Sequence, residues 1–120
     1  MQEVLQGINA VVGVTGSFVC DVDGQVLTKL LPEIFDDGLL TPVGQSLAQT
    51  VAGLELTRRR KVSDLDLLYR DGRLMVKNLR VGYLCILCVP NVNIPLLNLT
   101  ATRANKMLIA QIKANRAAPQ

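Results

Sequence analysis

Histidine and tryptophan are absent from the 120-residue sequence, and only four aromatic side chains occur: Phe18, Phe35, Tyr69 and Tyr83. Without histidine the chain cannot build a Ser-His-Asp or Cys-His nucleophile system and cannot offer imidazole to a metal. It also lacks the usual general base titrating near neutral pH. The scarcity of aromatics removes the stacking platforms on which single-stranded nucleic acid is bound. No acidic side chain follows Asp71. No apolar run approaches the ~18 residues of a membrane span, and no basic segment followed by an apolar one reads as a signal peptide. Three cysteines, an odd number, exclude a complete disulfide framework. Reduced thiols fit the cytoplasm, which is the expected location.

What is present is enough for one core. Hydrophobic residues make up 49% of the chain and charged residues 19%, too apolar for a disordered tail. The net charge is +3, unevenly spread: residues 1–60 carry four basic and seven acidic side chains, residues 61–120 nine and three. Gly7, Gly13 and Gly16 lie in no GxxxxGK[ST] context, so no P-loop is read. Cys85-Ile86-Leu87-Cys88 has the spacing of a metal or redox pair, but it sits inside an apolar strand-like run. An offset of three on a strand sends the two thiols to opposite faces, so both are expected to be core residues, with no metal and no cofactor. Asp36 and Asp37 are read as solvated loop charges, since a hard-cation site needs more oxygens at defined spacing. These exclusions point to a binding or assembly module, not an enzyme.

Periodicity orders the chain. Glu3 to Val12 has helical spacing, with Val4, Leu5, Ile8 and Val11/Val12 apolar. Ser17 to Val22 reads as a strand, Asp23-Gly24 as a tight hairpin turn, and Gln25 to Leu30 as its partner. Leu31 to Leu40 reads as a loop. Thr41 is placed as the cap and Pro42 as the first residue of a helix to about Thr57. Ser63 to Arg70, the Asp71-Gly72 turn and Arg73 to Leu79 form a second hairpin. Tyr83 to Val89, apolar on both faces, reads as a central strand covered on both sides. A last helix runs from about Ile94 to Asn115. The fold class is therefore α+β: one domain over 1–116, a frayed tail over 117–120, and the order α-β-β-α-β-β-β-α. A central fifth strand must neighbour both hairpins, which gives a five-stranded antiparallel sheet ordered 2-1-5-4-3.

From Val4 to Ala114 the chain resembles the roadblock / dynein light chain family. The resemblance rests on Ile8 to Val14 leading into Ser17-Phe18-Val19-Cys20-Asp21-Val22-Asp23-Gly24, on the small-residue helix from Thr41 to Leu56, and on the Asp71-Gly72 hairpin. It extends to Tyr83-Leu84-Cys85-Ile86-Leu87 followed by Asn93-Ile94-Pro95-Leu96. It implies a small cytoplasmic dimer with helices on both faces of this sheet, acting as a non-catalytic subunit. Some such proteins bind and regulate small Ras-like GTPases, including a bacterial polarity and gliding GTPase, and some scaffold GTPases at membranes. Others attach to dynein intermediate chains, so a motor light chain or peptide-binding adaptor is the alternative function. The resemblance brings no catalytic residues.

Two sets of residues are candidates for contact with partners. In the helix from Thr41, Val43, Leu47, Val51 and Leu54 suffice to cover its own sheet. Gly44, Ala48 and Ala52, at i+4 steps, then serve either to approach a second copy of the helix or to pack closely on the chain's own sheet. With Leu65, Leu67 and Tyr69 of the apolar third strand, an edge that asks to be paired, they form the expected homodimer interface. The run Arg58, Arg59, Arg60 and Lys61 admits three readings: solvated charges favoured by the helix C-terminus, a contact for an acidic partner, or an arginine finger.

Overall fold

The computed structural model describes residues 1–33, 37–58, 62–69 and 72–117. The elements follow in the order α1 (Gln2–Asn9), β1 (Val14–Asp21), β2 (Val26–Leu30), α2 (Asp37–Arg58), β3 (Asp64–Tyr69), β4 (Gly72–Asn78), β5 (Gly82–Cys88) and α3 (Ile94–Ala117). The strands form one antiparallel sheet in the order β2-β1-β5-β4-β3, as the alternation of apolar residues demanded.

The period of two sorts the strand side chains into two cores. Phe18 and Cys20 of β1, Val76 of β4, and Tyr83 and Cys85 of β5 pack with Leu47, Ala48 and Val51 of α2. Val19, Met75, Leu84, Ile86 and Cys88 point the other way, against Leu5 and Ile8 of α1 and Leu97, Leu108 and Ile112 of α3. The sheet is thus covered by α1 and α3 on one face and by α2 on the other. Leu84, Ile86, Leu97 and Leu108 are fully buried, each worth about 1.5–3 kcal/mol of transfer free energy. Cys85 and Cys88 fall in different cores, as their offset requires.

Three local expectations are corrected. Helix α1 ends at Asn9, three residues early, because the chain turns at Gly13 (φ +98°), which leaves Val12 outside at 89% exposure. The first hairpin is not a two-residue turn: Gly24 alone has positive φ. The Gly24 N–H donates to Asp21 O (3.0 Å) and the Asp21 N–H to Gln25 O (2.9 Å), the pattern of a three-residue loop with a glycine bulge. The Asp21 carboxylate shapes this loop by accepting from the Asp23 and Gln25 N–H groups. Helix α2 begins at Asp37, not Thr41, so Pro42 lies inside it. Proline there forgoes one i→i−4 bond, and the core contacts of Leu47 and Val51 further along hold the helix. Asp36, Arg70 and Asp71 lie outside the described residues; the strands flanking the second turn pair from Tyr69 opposite Gly72.

Candidate functional site

The sheet has two edges, and β3 is the more apolar. Register places Leu65 opposite Val76 and Leu67 opposite Leu74 on the α2 face, and Asp64 opposite Lys77 on the α3 face. Leu67 and Leu68 are exposed, at 46% and 65%. Between α2 and this hairpin runs a groove of about 350 Å³ whose walls include Val43, Leu47, Leu67 and Leu74. Its lining is apolar because the strand alternates and both α2 and β4 present aliphatic side chains to it.

Ion pairs on the opposite face hold β3 in place. Lys77 Nζ donates to Asp64 Oδ2 (3.2 Å) and to Asn98 Oδ1 of α3 (2.8 Å), and the lysine is only 7% exposed. Arg73 Nε donates to Asp66 Oδ1 (2.8 Å) and its Nη1 to the Pro90 carbonyl (3.0 Å). Because Lys77 is buried, its head group needs both partners. At the far end of α2, Glu55 Oε1 accepts from the Val62 N–H at 3.0 Å and from Arg80 Nη1 at 3.4 Å. Asn78 Nδ2 donates to the Val62 carbonyl, and the Arg80 N–H donates to Asn78 Oδ1 with Arg80 at φ 70°. The end of α2, the entry to β3 and the β4–β5 turn are therefore tied together, on either side of the basic run in sequence. Of that run, Arg58 is the last residue of α2; Arg59, Arg60 and Lys61 lie outside the described residues.

Two of the three thiols and the buried phenol are held protonated, whereas Cys20 is lowered by its hydrogen bond with Cys85. The Cys85 thiol is pushed well above the ordinary thiol range by its hydrogen bond with Cys20 and by burial. Burial also raises Cys88 and Tyr83. A raised thiol is a poor nucleophile near neutral pH. Among the described residues no three His, Cys, Asp or Glu side chains cluster as a metal would require.

The small residues of α2 divide differently from the expected stripes. A Cβ on Gly44 would run into the Gly24 carbonyl, so this glycine is used by the chain's own β1–β2 loop. Ala48 is 9% exposed and belongs to the α2-side core. Ala52 is exposed, and Leu54, expected inward, is 37% exposed. The buried arc of α2 is centred between the two stripes. Gly44 and Ala48 thus take the close-packing reading within the chain, whereas Ala52 and Leu67 present surface and Leu65 lies half-buried at its border. Sequence reasoning missed the buried Lys77–Asn98 contact. A lysine alternating with Met75 on β4 was a usable signal once that face was known to lie under α3.

The chain has the roadblock/LC7 fold: a five-stranded antiparallel sheet ordered 2-1-5-4-3, with one helix on one face and two on the other. It superposes on the Roadblock/LC7 domain from Streptomyces avermitilis with a TM-score of 0.79 at 13% identity, covering 94% of this chain and 98% of that one. It is similarly close to the gliding protein MglB from Thermus thermophilus, with a TM-score of 0.76, 16% identity and coverage of 92% and 86%. An MglB in a tetrameric arrangement matches with a TM-score of 0.77 at 16% identity, over 92% of this chain and 85% of that one. No protein-family profile and no curated protein matches the sequence. Among the described residues no helix is long and apolar enough to cross a membrane.

Proposed function

We propose that the chain is a non-catalytic regulator or scaffold of a small Ras-like GTPase and that it works as a homodimer in the cytoplasm. The observation that carries this reading is the apolar β3 edge beside the α2 groove, on a fold shared with MglB. An exposed edge strand with Leu67 and Leu68 outward is a template for pairing with another chain. Antiparallel pairing of β3 with its two-fold mate continues the sheet and brings the exposed flank of α2, at Ala52, beside its copy. The MglB seen in a tetrameric arrangement supports self-association of this fold. The family resemblance supplies the GTPase. The absence of histidine and of any nucleophile constellation supports a non-enzymatic part, in which any acceleration of hydrolysis works by ordering the GTPase's own residues. Arg58, Arg59, Arg60 and Lys61 serve as a contact for an acidic surface of that partner.

The test is GTP hydrolysis by each Ras-like GTPase of the source organism, with and without this protein, alongside capture of the GTP-loaded forms. The expected result is saturable capture of one of them and no turnover by this protein alone. Turnover that follows this protein through purification, or capture of none, would overturn the reading.

A further inference from the structure

Helix α3 presents to solvent a line of side chains that the fold does not use. Leu96, Leu99, Arg103, Lys106, Ala110 and Lys113 recur at steps of three and four and are all exposed. They therefore share one face, opposite the buried line of Leu97, Ala101, Leu108 and Ile112. At 1.5 Å per residue the line is about 25 Å long. Leu96 and Leu99 are 45% and 54% exposed, and Met107 beside the line is 54% exposed. Two more exposed apolar side chains, Val12 and Val89, sit at the end where α3 begins, because Gly13 packs against Val89 and Val92. No acidic side chain occurs in α3. A solvated helix face mixes charges of both signs at i+4 spacing; this one interleaves cations with exposed aliphatic side chains. Asp64 and Asp66 lie on the same side of the sheet, but at the level of the strands, where they pair with Lys77 and Arg73. Arg116 shares a cavity with Asp21 and Asp23 at the C-terminal end of the helix. What stays unbalanced is Arg103, Lys106 and Lys113 against one carboxylate, Glu3 of α1, which borders the same groove as Arg103.

We infer that this face of α3 lies on an anionic lipid bilayer, with Arg103, Lys106 and Lys113 at the phosphates and Leu96, Leu99 and Met107 reaching the boundary with the acyl chains. The interleaving suits a bilayer. Cations on long stems extend to the headgroups while the aliphatic side chains between them are buried a few ångströms deeper. It does not suit a protein partner, whose contact core is depleted of lysine and carries charge at its rim; here Lys106 and Lys113 stand on the central line. The surface is on the sheet face opposite α2. The contact needs neither the dimer nor the GTPase. Pairing at β3 would nevertheless set two such lines on one face of the continued sheet and leave α2 free on the other.

The probe is sucrose-loaded vesicles of phosphatidylcholine with about 30% phosphatidylserine, compared with phosphatidylcholine alone, and the purified chain without any GTPase. Co-sedimentation is expected with the anionic vesicles only, and is expected to fall about fivefold or more between about 0.05 and 0.5 M salt. Arg103→Glu combined with Lys106→Glu, both at exposed positions, is expected to weaken partitioning about tenfold or more. Leu99→Gln is expected to weaken it about fivefold, with circular dichroism unchanged in both variants. Glu3→Lys is expected to strengthen it about tenfold, a gain that damage to the fold cannot mimic. Changing Arg58, Arg59 and Arg60 to Ala is expected to leave it unchanged. The proposal is overturned by no binding to anionic vesicles up to about 1 mM lipid, or by equal binding to phosphatidylcholine alone. It is also overturned if the α3 and Glu3 variants bind like wild type, or if the Arg58–Arg60 variant alone loses binding. Binding of poly-glutamate that Arg103→Glu abolishes, without binding to vesicles, would overturn it in favour of an acidic protein.

Discussion

Replacing Gly44 with Ala is expected to destabilise the protein, whereas the same change at Gly53 in the same helix is expected to stabilise it. In an exposed helix interior, Gly→Ala gains up to about 1 kcal/mol. At Gly53 the new methyl meets nothing within 4 Å, so that gain stands. At Gly44 the methyl collides with the backbone of Gly24, and Gly24 in turn sits against the backbone of Gly44 and Gln45. Backbone atoms cannot rotate away as a side-chain tip can, and overpacking of this kind costs about 1–3 kcal/mol. Set against the propensity gain, the net loss is up to about 2 kcal/mol, several degrees in Tm for a chain of this size. The propensity gain is common to both, so the two variants separate by the overpacking cost alone, about 1–3 kcal/mol. Urea unfolding followed by circular dichroism reads the difference directly. If Gly44→Ala stabilises the protein as Gly53→Ala does, then Gly44 faces open space and its assignment to the β1–β2 loop is wrong.

Stability is expected to fall in alkali. The folded state holds Cys85, Cys88 and Tyr83 above their ordinary values and, through the hydrogen bond with Cys85, holds only Cys20 below its own, so on balance it retains protons that the unfolded chain releases. The unfolding free energy is then level below about pH 8 and declines above it, by up to about 1.4 kcal/mol per pH unit for each group retained. A flat urea-unfolding profile from pH 7 to about 10 would contradict this, and Cys85→Ala should shallow the decline. Leu67→Arg and Ala52→Arg, both at exposed positions, should leave the circular dichroism spectrum unchanged and split the dimer by placing charge in its interface. A light-scattering mass equal to wild type would move the interface elsewhere. Changing Arg58, Arg59 and Arg60 together to Ala should weaken GTPase binding mainly at low salt; unchanged affinity there assigns the run to solvent.

The strands were the most legible part of the fold. Alternation in Leu74/Val76 against Met75/Lys77, and the apolar run of β5 on both faces, were sufficient to order the sheet. The start of α3 at Ile94 was read from the spacing of its apolar residues; the cap was not, and it is Asn93, whose Oδ1 accepts from the Leu96 N–H. Proline misled at the start of α2, because local rules favour it at the first position while tertiary packing tolerated it further in. The inward face of α2 was legible only in part, since the partner of Gly44 is a loop twenty residues away in sequence that no periodicity reveals.

The most direct test is sedimentation velocity of the purified chain, alone and mixed with its GTP-loaded Ras-like GTPase. The expected result is a boundary at twice the single-chain mass for the protein alone at micromolar concentration, shifting to a heavier complex with the GTPase. A boundary at the single-chain mass that no GTPase shifts would contradict a dimeric GTPase regulator.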